Sequence, residues 1–213
     1  MYILFIFLKF WLADTLYAQA LSLSKQSEYK DAYPHIVSAI NERPGEPVYH
    51  DELATITGHL AETALENREA TAAGKFIKEA IAESGTALKT SPQNVSFWKT
   101  RTRIFFTLSQ VDTSFIQDAL DSITIAQELA PTDPKITYNL AILYGRADKN
   151  DKAVEYLKKT IDLKPDYRDA YIALAIFYEE AKQIYKAREM LELILKRIDP
   201  NDQETKERLE KLH

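Results

Sequence analysis

An alanine standing twelve residues before a proline constrains this chain more than any other feature. The pairs are Ala32 and Pro44, Ala80 and Pro92, Ala119 and Pro131, and Ala153 and Pro165, with Ala187 and Pro200 one residue longer. Pro131 to Pro165 spans 34 residues and Pro165 to Pro200 spans 35, while Pro92 to Pro131 takes 39 and Pro44 to Pro92 takes 48. A period of this length marks a stacked repeat, each unit being a supersecondary element that cannot bury its apolar side alone. Within a unit the apolar spacing is helical: Ile136, Leu140, Leu143 and Tyr144 make one stripe, and Ala153, Tyr156, Leu157 and Ile161 a second. Asp148 to Asp151 supplies a polar turn between them. Leu163-Lys164-Pro165-Asp166 closes the unit, because proline cannot continue a helix but tolerates its first turn.

These residues carry a resemblance. Tyr138, Leu140, Ala141, Tyr144, Ala153, Leu157 and Pro165 resemble a tetratricopeptide repeat, and Tyr171, Leu174, Ala175, Tyr178, Ala187 and Leu191 repeat the pattern. An earlier unit fits with Trp98, Thr102, Phe105, Ala119 and Pro131, although Arg101 stands where leucine is usual. The second fits with Leu53, Ala54, Ala80, Ala87 and Pro92 around an insertion. The first fits with Tyr29, Ala32, Ile36, Ala39 and Pro44, although Pro34 sits early in its second helix. The resemblance implies an all-α fold: a right-handed solenoid of tandem helix-turn-helix units. Five repeats are expected at 13–46, 47–93, 94–132, 134–167 and 168–200, after an apolar segment at 1–12. The charged stretch from Asp202 to Leu212 suits a capping helix at 201–213, with a polar outer face.

Three readings of the first twelve residues stay open. Met1 to Leu8 is wholly apolar, and after Lys9 the run resumes with Phe10, Trp11 and Leu12. As a helix, thirteen residues reach only about 20 Å against roughly 30 Å of hydrocarbon. The segment is then the end of a transmembrane helix or a short membrane anchor, a signal peptide with Ala18-Gln19-Ala20 as its cleavage site, or a first helix packing on the array. Phe10 and Trp11 beside Lys9 have the composition of an interfacial belt, which favours a bacterial membrane location, on either side, over a cytoplasmic one.

A narrower resemblance lies in the order of further features: Trp11, Ala13, Asp14, Tyr17 and Ala18; then Pro47-Val48-Tyr49 with Glu52-Leu53-Ala54; then Asn94 and Phe97-Trp98-Lys99; then Ala130 to Ile136; then Lys164 to Tyr171. This order is similar to the C-terminal repeat region of bacterial O-antigen ligase- or polymerase-like membrane proteins. It implies an accessory region of a glycan-transferring protein, as an alternative to a scaffold that holds protein partners.

Chemistry is sparse. There is no cysteine, so disulfides, thiolate metal sites and cysteine nucleophiles are excluded. The four histidines show no metal-ligand spacing, and neither a phosphate-binding glycine motif nor a GxSxG elbow occurs, so no enzyme, cofactor or metal is expected. A net charge of −5 lacks the basic surplus that phosphate backbones select, so no nucleic-acid partner is expected either. Asn94-Val95-Ser96 matches a glycosylation sequon but reads better as the start of a helix. What remains is binding of a protein or peptide. In repeats of this kind the first helix of each unit faces the groove. Carried over, that gives Lys99 and Arg103 in the third unit and Asn139, Ile142 and Arg146 in the fourth, with Asp51, Glu52, Thr55 and His59 in the second. The basic residues with the asparagine suit an anionic group on the partner, such as a peptide carboxylate.

Overall fold

The structure, a computed structural model, describes residues 2–212, with side chains from Phe7 onward. Among these residues there are eleven α-helices, one 3-10 turn and no strand. The helices come in pairs: α1 (Tyr2–Lys25) with α2 (Tyr29–Glu42), α3 (Pro47–Glu66) with α4 (Ala70–Thr90), and α5 (Val95–Leu108) with α6 (Ile116–Leu129). Next come α7 (Pro134–Arg146) with α8 (Asn150–Leu163), α9 (Arg168–Glu180) with α10 (Ile184–Arg197), and a last helix α11 (Gln203–Lys211). The chain divides into two compact units, Met1–Ser122 and Ile123–His213.

The repeated alanines are where the helices meet. Ala32, Ala80, Ala119, Ala153 and Ala187 are each 0% exposed, and a larger side chain at any of them would push packed helices apart. In the first unit Ala13, Ala20, Ala32, Ile36, Ala39, Tyr49, Leu53, Ile56 and Leu60 form one core. In the second, Ala141, Leu157, Tyr171, Leu174, Ala187, Leu191 and Ile194 form another, with Leu212 closing it from the C-terminal side. Each fully buried leucine or isoleucine there contributes about 1.5–3 kcal/mol of transfer free energy.

The prolines sit in the four-residue links between pairs, and each link is tied by a side chain. His50 Nε2 donates to the Pro44 carbonyl at 2.8 Å, Trp98 Nε1 to Pro92 at 2.7 Å and the Tyr171 hydroxyl to Pro165 at 3.0 Å, each from six residues downstream. Thr137, six residues after Pro131, bonds Gln127 Oε1 at 3.0 Å, and Gln127 Nε2 donates to the Pro131 carbonyl at 3.0 Å. Pro47 and Pro134 open α3 and α7, where a missing N–H costs nothing. Asn94, Asp133 and Asp202 cap α5, α7 and α11 with side-chain oxygens. Asn94 thus acts as the helix cap that its place before α5 predicts.

The turns inside four pairs share one geometry. Ser27, Arg68, Asp148 and Lys182 have φ between 56° and 63°, and the next amide in each case reaches back five residues, as from Lys149 N to Tyr144 O at 2.9 Å. This is the left-handed helix stop usually built with glycine. The pair α5–α6 departs from it with a longer link containing the 3-10 turn Thr113–Phe115, which accounts for the 39-residue spacing there. The 48-residue spacing has another cause. α3 and α4 run 20 and 21 residues against 13 and 14 for α7 and α8, so the insertion adds two turns, about 10 Å, to each helix.

α1 runs unbroken from Tyr2 to Lys25, so the apolar stretch and the start of the first repeat are one helix. Ala13 and Ala20 lie in the core against α2 and α3, because these small residues let the backbones approach. Lys9 pairs with Glu42 at 3.6 Å, and the Arg43 guanidinium lies 4.8 Å from the Phe10 ring. Among the described residues no helix is long and apolar enough to cross a membrane, since polar side chains recur from Lys9 onward. Met1 lies outside the described residues.

Candidate functional site

Lys99 and Arg103 belong to the first unit and Asn139, Ile142 and Arg146 to the second. In α5, Lys99 and Arg103 share a face by their spacing of four. That face meets α3. Arg103 Nη2 donates to Thr55 Oγ1 at 3.0 Å, and Thr100 Oγ1 donates to Asp51 Oδ2 at 3.2 Å. Glu62 lies 3.4 Å from His59 Nδ1, and the His59 ring stacks on Tyr29 with centroids 4.3 Å apart. Thr55, Gly58, His59, Glu62, Arg103 and Thr107 bound a cavity of about 20 Å³.

The charges on this face perturb one another. Burial pushes the Asp51 carboxyl up to about 6, and Glu52 adds to the shift, while the bond from Thr100 and the Arg103 charge oppose it. Burial lowers His59, and the cation of Arg103 lowers it further, against Glu62. Asp51 Oδ1 and Glu52 Oε1 are buried with no hydrogen-bond partner. A carboxylate held away from water without a donor is costly, so this face carries unsatisfied acceptor capacity beside its cations. The sequence pattern placed Arg103 on the face, but its engagement with Thr55 and its position beside Asp51 needed the structure.

Arg101, the departure from the repeat pattern, is explained by where its head goes. It donates to Ser84 Oγ at 2.8 Å and to the Ile81 carbonyl at 3.2 Å, and it lies over the Phe105 ring at 4.8 Å. The long side chain thereby ties α5 to α4, packing its stem where leucine would pack.

In the second unit, Asn139, Ile142 and Arg146 recur at three and four residues along α7 and share one face. Asn139 is half-buried and Arg146 exposed at the helix C-terminus, where a cation favours the helix dipole. Ile142 packs against the second core, so it is in part a structural residue. Among the described residues no group of three or more His, Asp or Glu side chains is arranged to hold a metal ion.

The comparisons agree with this architecture. Residues 146–204 match the tetratricopeptide repeat family. A tetratricopeptide repeat protein from Parabacteroides merdae superposes with a TM-score of 0.69 at 15% identity, over 94% of this chain and 72% of that one. YrrB, described as a tetratricopeptide repeat protein with an unusual peptide-binding site, gives 0.64 at 18% identity, over 92% and 91%. A thermophilic tetratricopeptide repeat protein of Thermus thermophilus gives 0.61 at 17% identity, over 94% and 98%. No curated protein matches the sequence. The fold is therefore a solenoid of tetratricopeptide type. The comparisons do not extend to the narrower similarity to O-antigen ligase-like repeat regions.

Proposed function

We propose that this chain is an interaction scaffold that takes a protein or peptide partner on the first-helix faces of its repeats, with no catalytic step of its own. The observation that carries this reading is the α3–α5 face of the first unit. There Arg103, on one helix face with Lys99, stands beside Asp51, and one oxygen each of Asp51 and Glu52 is buried without a donor. A face built only for packing would hold apolar side chains there. The partner that fits is of mixed charge, with a carboxylate opposite Lys99 and Arg103 and an N–H donor opposite the acids. Asn139 and Arg146 supply a like donor set on α7 in the second unit. The peptide-binding site described for YrrB lends support by analogy of fold.

The test is capture of partners from the native host, followed by titration of the captured protein. Lys99→Glu with Arg103→Glu should weaken binding far more than Lys158→Glu with Lys159→Glu on the outer face of α8. Equal losses from the two pairs would reduce the effect to nonspecific electrostatics.

A second reading concerns the membrane. Phe7, Leu8, Phe10, Trp11 and Leu12 are 66, 58, 42, 66 and 40% exposed, a contiguous apolar surface on one end of α1. It suits insertion into a headgroup layer, with Trp11 as anchor. An accessory role beside a glycan-transferring membrane protein would use the same contact. Deleting residues 1–12 should abolish co-sedimentation with anionic lipid vesicles while leaving the helical circular dichroism signal of the rest intact; unchanged sedimentation would remove this reading.

A further inference from the structure

The first unit has a second recess, away from the α3–α5 face. It lies at the turn end of the repeats, between the start of α2 and the ends of α3 and α4 that meet at Asn67, and has a volume of about 270 Å³. Its apolar walls are Tyr33, Leu60, Ala64 and Phe76, with the Tyr33 and Phe76 rings edge-on at 6.2 Å. The Tyr33 hydroxyl is fixed by its bond to Glu79 at 2.8 Å, so the ring is held in place. Lys30 and Lys75 stand at the rim. Neither pairs with a carboxylate among the described residues; Lys75 only leans over the Phe76 ring at 6.0 Å. Pro34 brings no N–H to the Lys30 carbonyl, so one helix acceptor at the rim lacks its usual donor.

The second unit has a recess at the corresponding place, of about 360 Å³, between α8 and the α9–α10 turn. Val154 occupies the register of Tyr33 and Tyr178 that of Ala64, each counted from its own helix end. There, however, Asp151 and Glu180 balance Lys158 and Lys186. In the first unit's recess the lining holds Lys30 and Lys75 with one carboxylate, Glu69, beside its aromatic wall; Glu79, which accepts the Tyr33 hydroxyl, does not line it.

We propose that the recess between α2 and the α3–α4 turn is a docking site for a peptide segment in which an aromatic or large aliphatic side chain is flanked by carboxylates. The apolar side chain enters between Tyr33, Leu60 and Phe76, while Lys30 and Lys75 meet the flanking acids. This site is independent of the first-helix faces, so a scaffold of this kind holds two partners, or two parts of one, at once.

The experiment is a fluorescence-anisotropy titration of the full chain with a fluorescein-labelled Ser-Asp-Phe-Asp-Ser-Gly peptide, together with amide chemical-shift mapping. Saturable binding is expected, with shifts centred on Tyr33, Leu60 and Phe76. Lys30→Glu with Lys75→Glu, both on exposed side chains, should weaken it by at least about tenfold, and Lys89→Glu with Lys135→Glu should leave it unchanged. A peptide carrying lysine for both aspartates should not bind. Absence of saturable binding, equal losses from the two charge-reversed pairs, or shifts centred elsewhere would overturn the proposal. So would shifts at the recess that appear on raising the protein concentration without peptide, since a second copy would then be its occupant.

Discussion

Asp51 is the residue at which the fold bears a cost that its partner face explains. Its carboxyl titrates near 6, raised by burial and by Glu52 above an unfolded value near 3.8. The folded state therefore holds the proton more tightly than the unfolded one, and stability falls as pH rises from about 4 to about 6, then levels off. Asp51→Asn removes the charge, keeps an acceptor for Thr100 and should stabilise the protein at pH 7 by about 1–3 kcal/mol. The gain should vanish at pH 4, where wild type is itself protonated; chemical unfolding at the two pH values measures both. A gain that persisted at pH 4 would mean the carboxylate charge is not the cause. A second single-residue cost sits in the turns. Lys182 holds φ at 59° without the freedom of glycine. Lys182→Gly should raise stability by about 0.5 kcal/mol, the relief of left-handed strain outweighing the added freedom of the unfolded chain. Thermal unfolding of the variant reads this directly, and a lowered midpoint would contradict it.

At the scale of elements, the C-terminal helix shows how a polar piece is kept on an apolar stack. α11 is held by Arg168, whose guanidinium bonds both Asp202 and Glu204, and by the Asp202 cap to Thr205 N at 2.9 Å. The bonds from Arg168 hold the Asp202 carboxyl well below the usual carboxylate range. That sign is the reverse of Asp51: the contribution is fully present above the ordinary carboxylate range and is lost as pH falls below that range toward the lowered folded value. Asp202→Ala should cost about 1–3 kcal/mol at pH 7 and strip exchange protection from α11 first, an effect to be read by hydrogen exchange of its amides. Loss of protection in α9 before α11 would contradict the docking role. Much of this level was legible beforehand. The prolines marked the links and the alanines the crossings, because both residue types act through their own backbone or size. The insertion was legible only as extra length, because the stretch from Gly58 to Ile77 is helix-compatible throughout and nothing local says which element grew. Of the turns, the polar run from Asp148 to Asp151 was legible, but its left-handed stop and those at Ser27, Arg68 and Lys182 were not, because they take the glycine conformation without glycine. At the candidate site, spacing alone placed Lys99 and Arg103 on one face of α5. It did not reveal that Arg103 bonds Thr55 beside a half-buried acid, since a contact across helices leaves no mark on the spacing of either one. α1 was ambiguous because Ala13 and Ala20 serve close helix packing in water or in lipid alike.

For the whole molecule, the decisive property is that a repeat meets only its neighbours, so stability adds unit by unit along the chain. The two units each hold a core of their own, one centred on Ile36, Tyr49 and Ile56 and the other on Leu157, Leu174 and Leu191. The long α3–α4 pair belongs wholly to the first, and its added turns keep Ala61, Ala64 and Ala73 buried, so that the longer hairpin is supported by its own contacts. Local opening should therefore follow the units. Leu191 is 1% exposed, and Leu191→Ala removes a core side chain at a cost of about 2–5 kcal/mol. Native-state hydrogen exchange should show that loss in the amides of α8 to α10, with α2 and α3 keeping their wild-type protection. The reciprocal change, Ile56→Ala, should lower protection in α1 to α4 and leave α9 and α10 as they were. A uniform drop across all helices from either substitution would show a single cooperative block, and nearest-neighbour additivity would then fail for this chain.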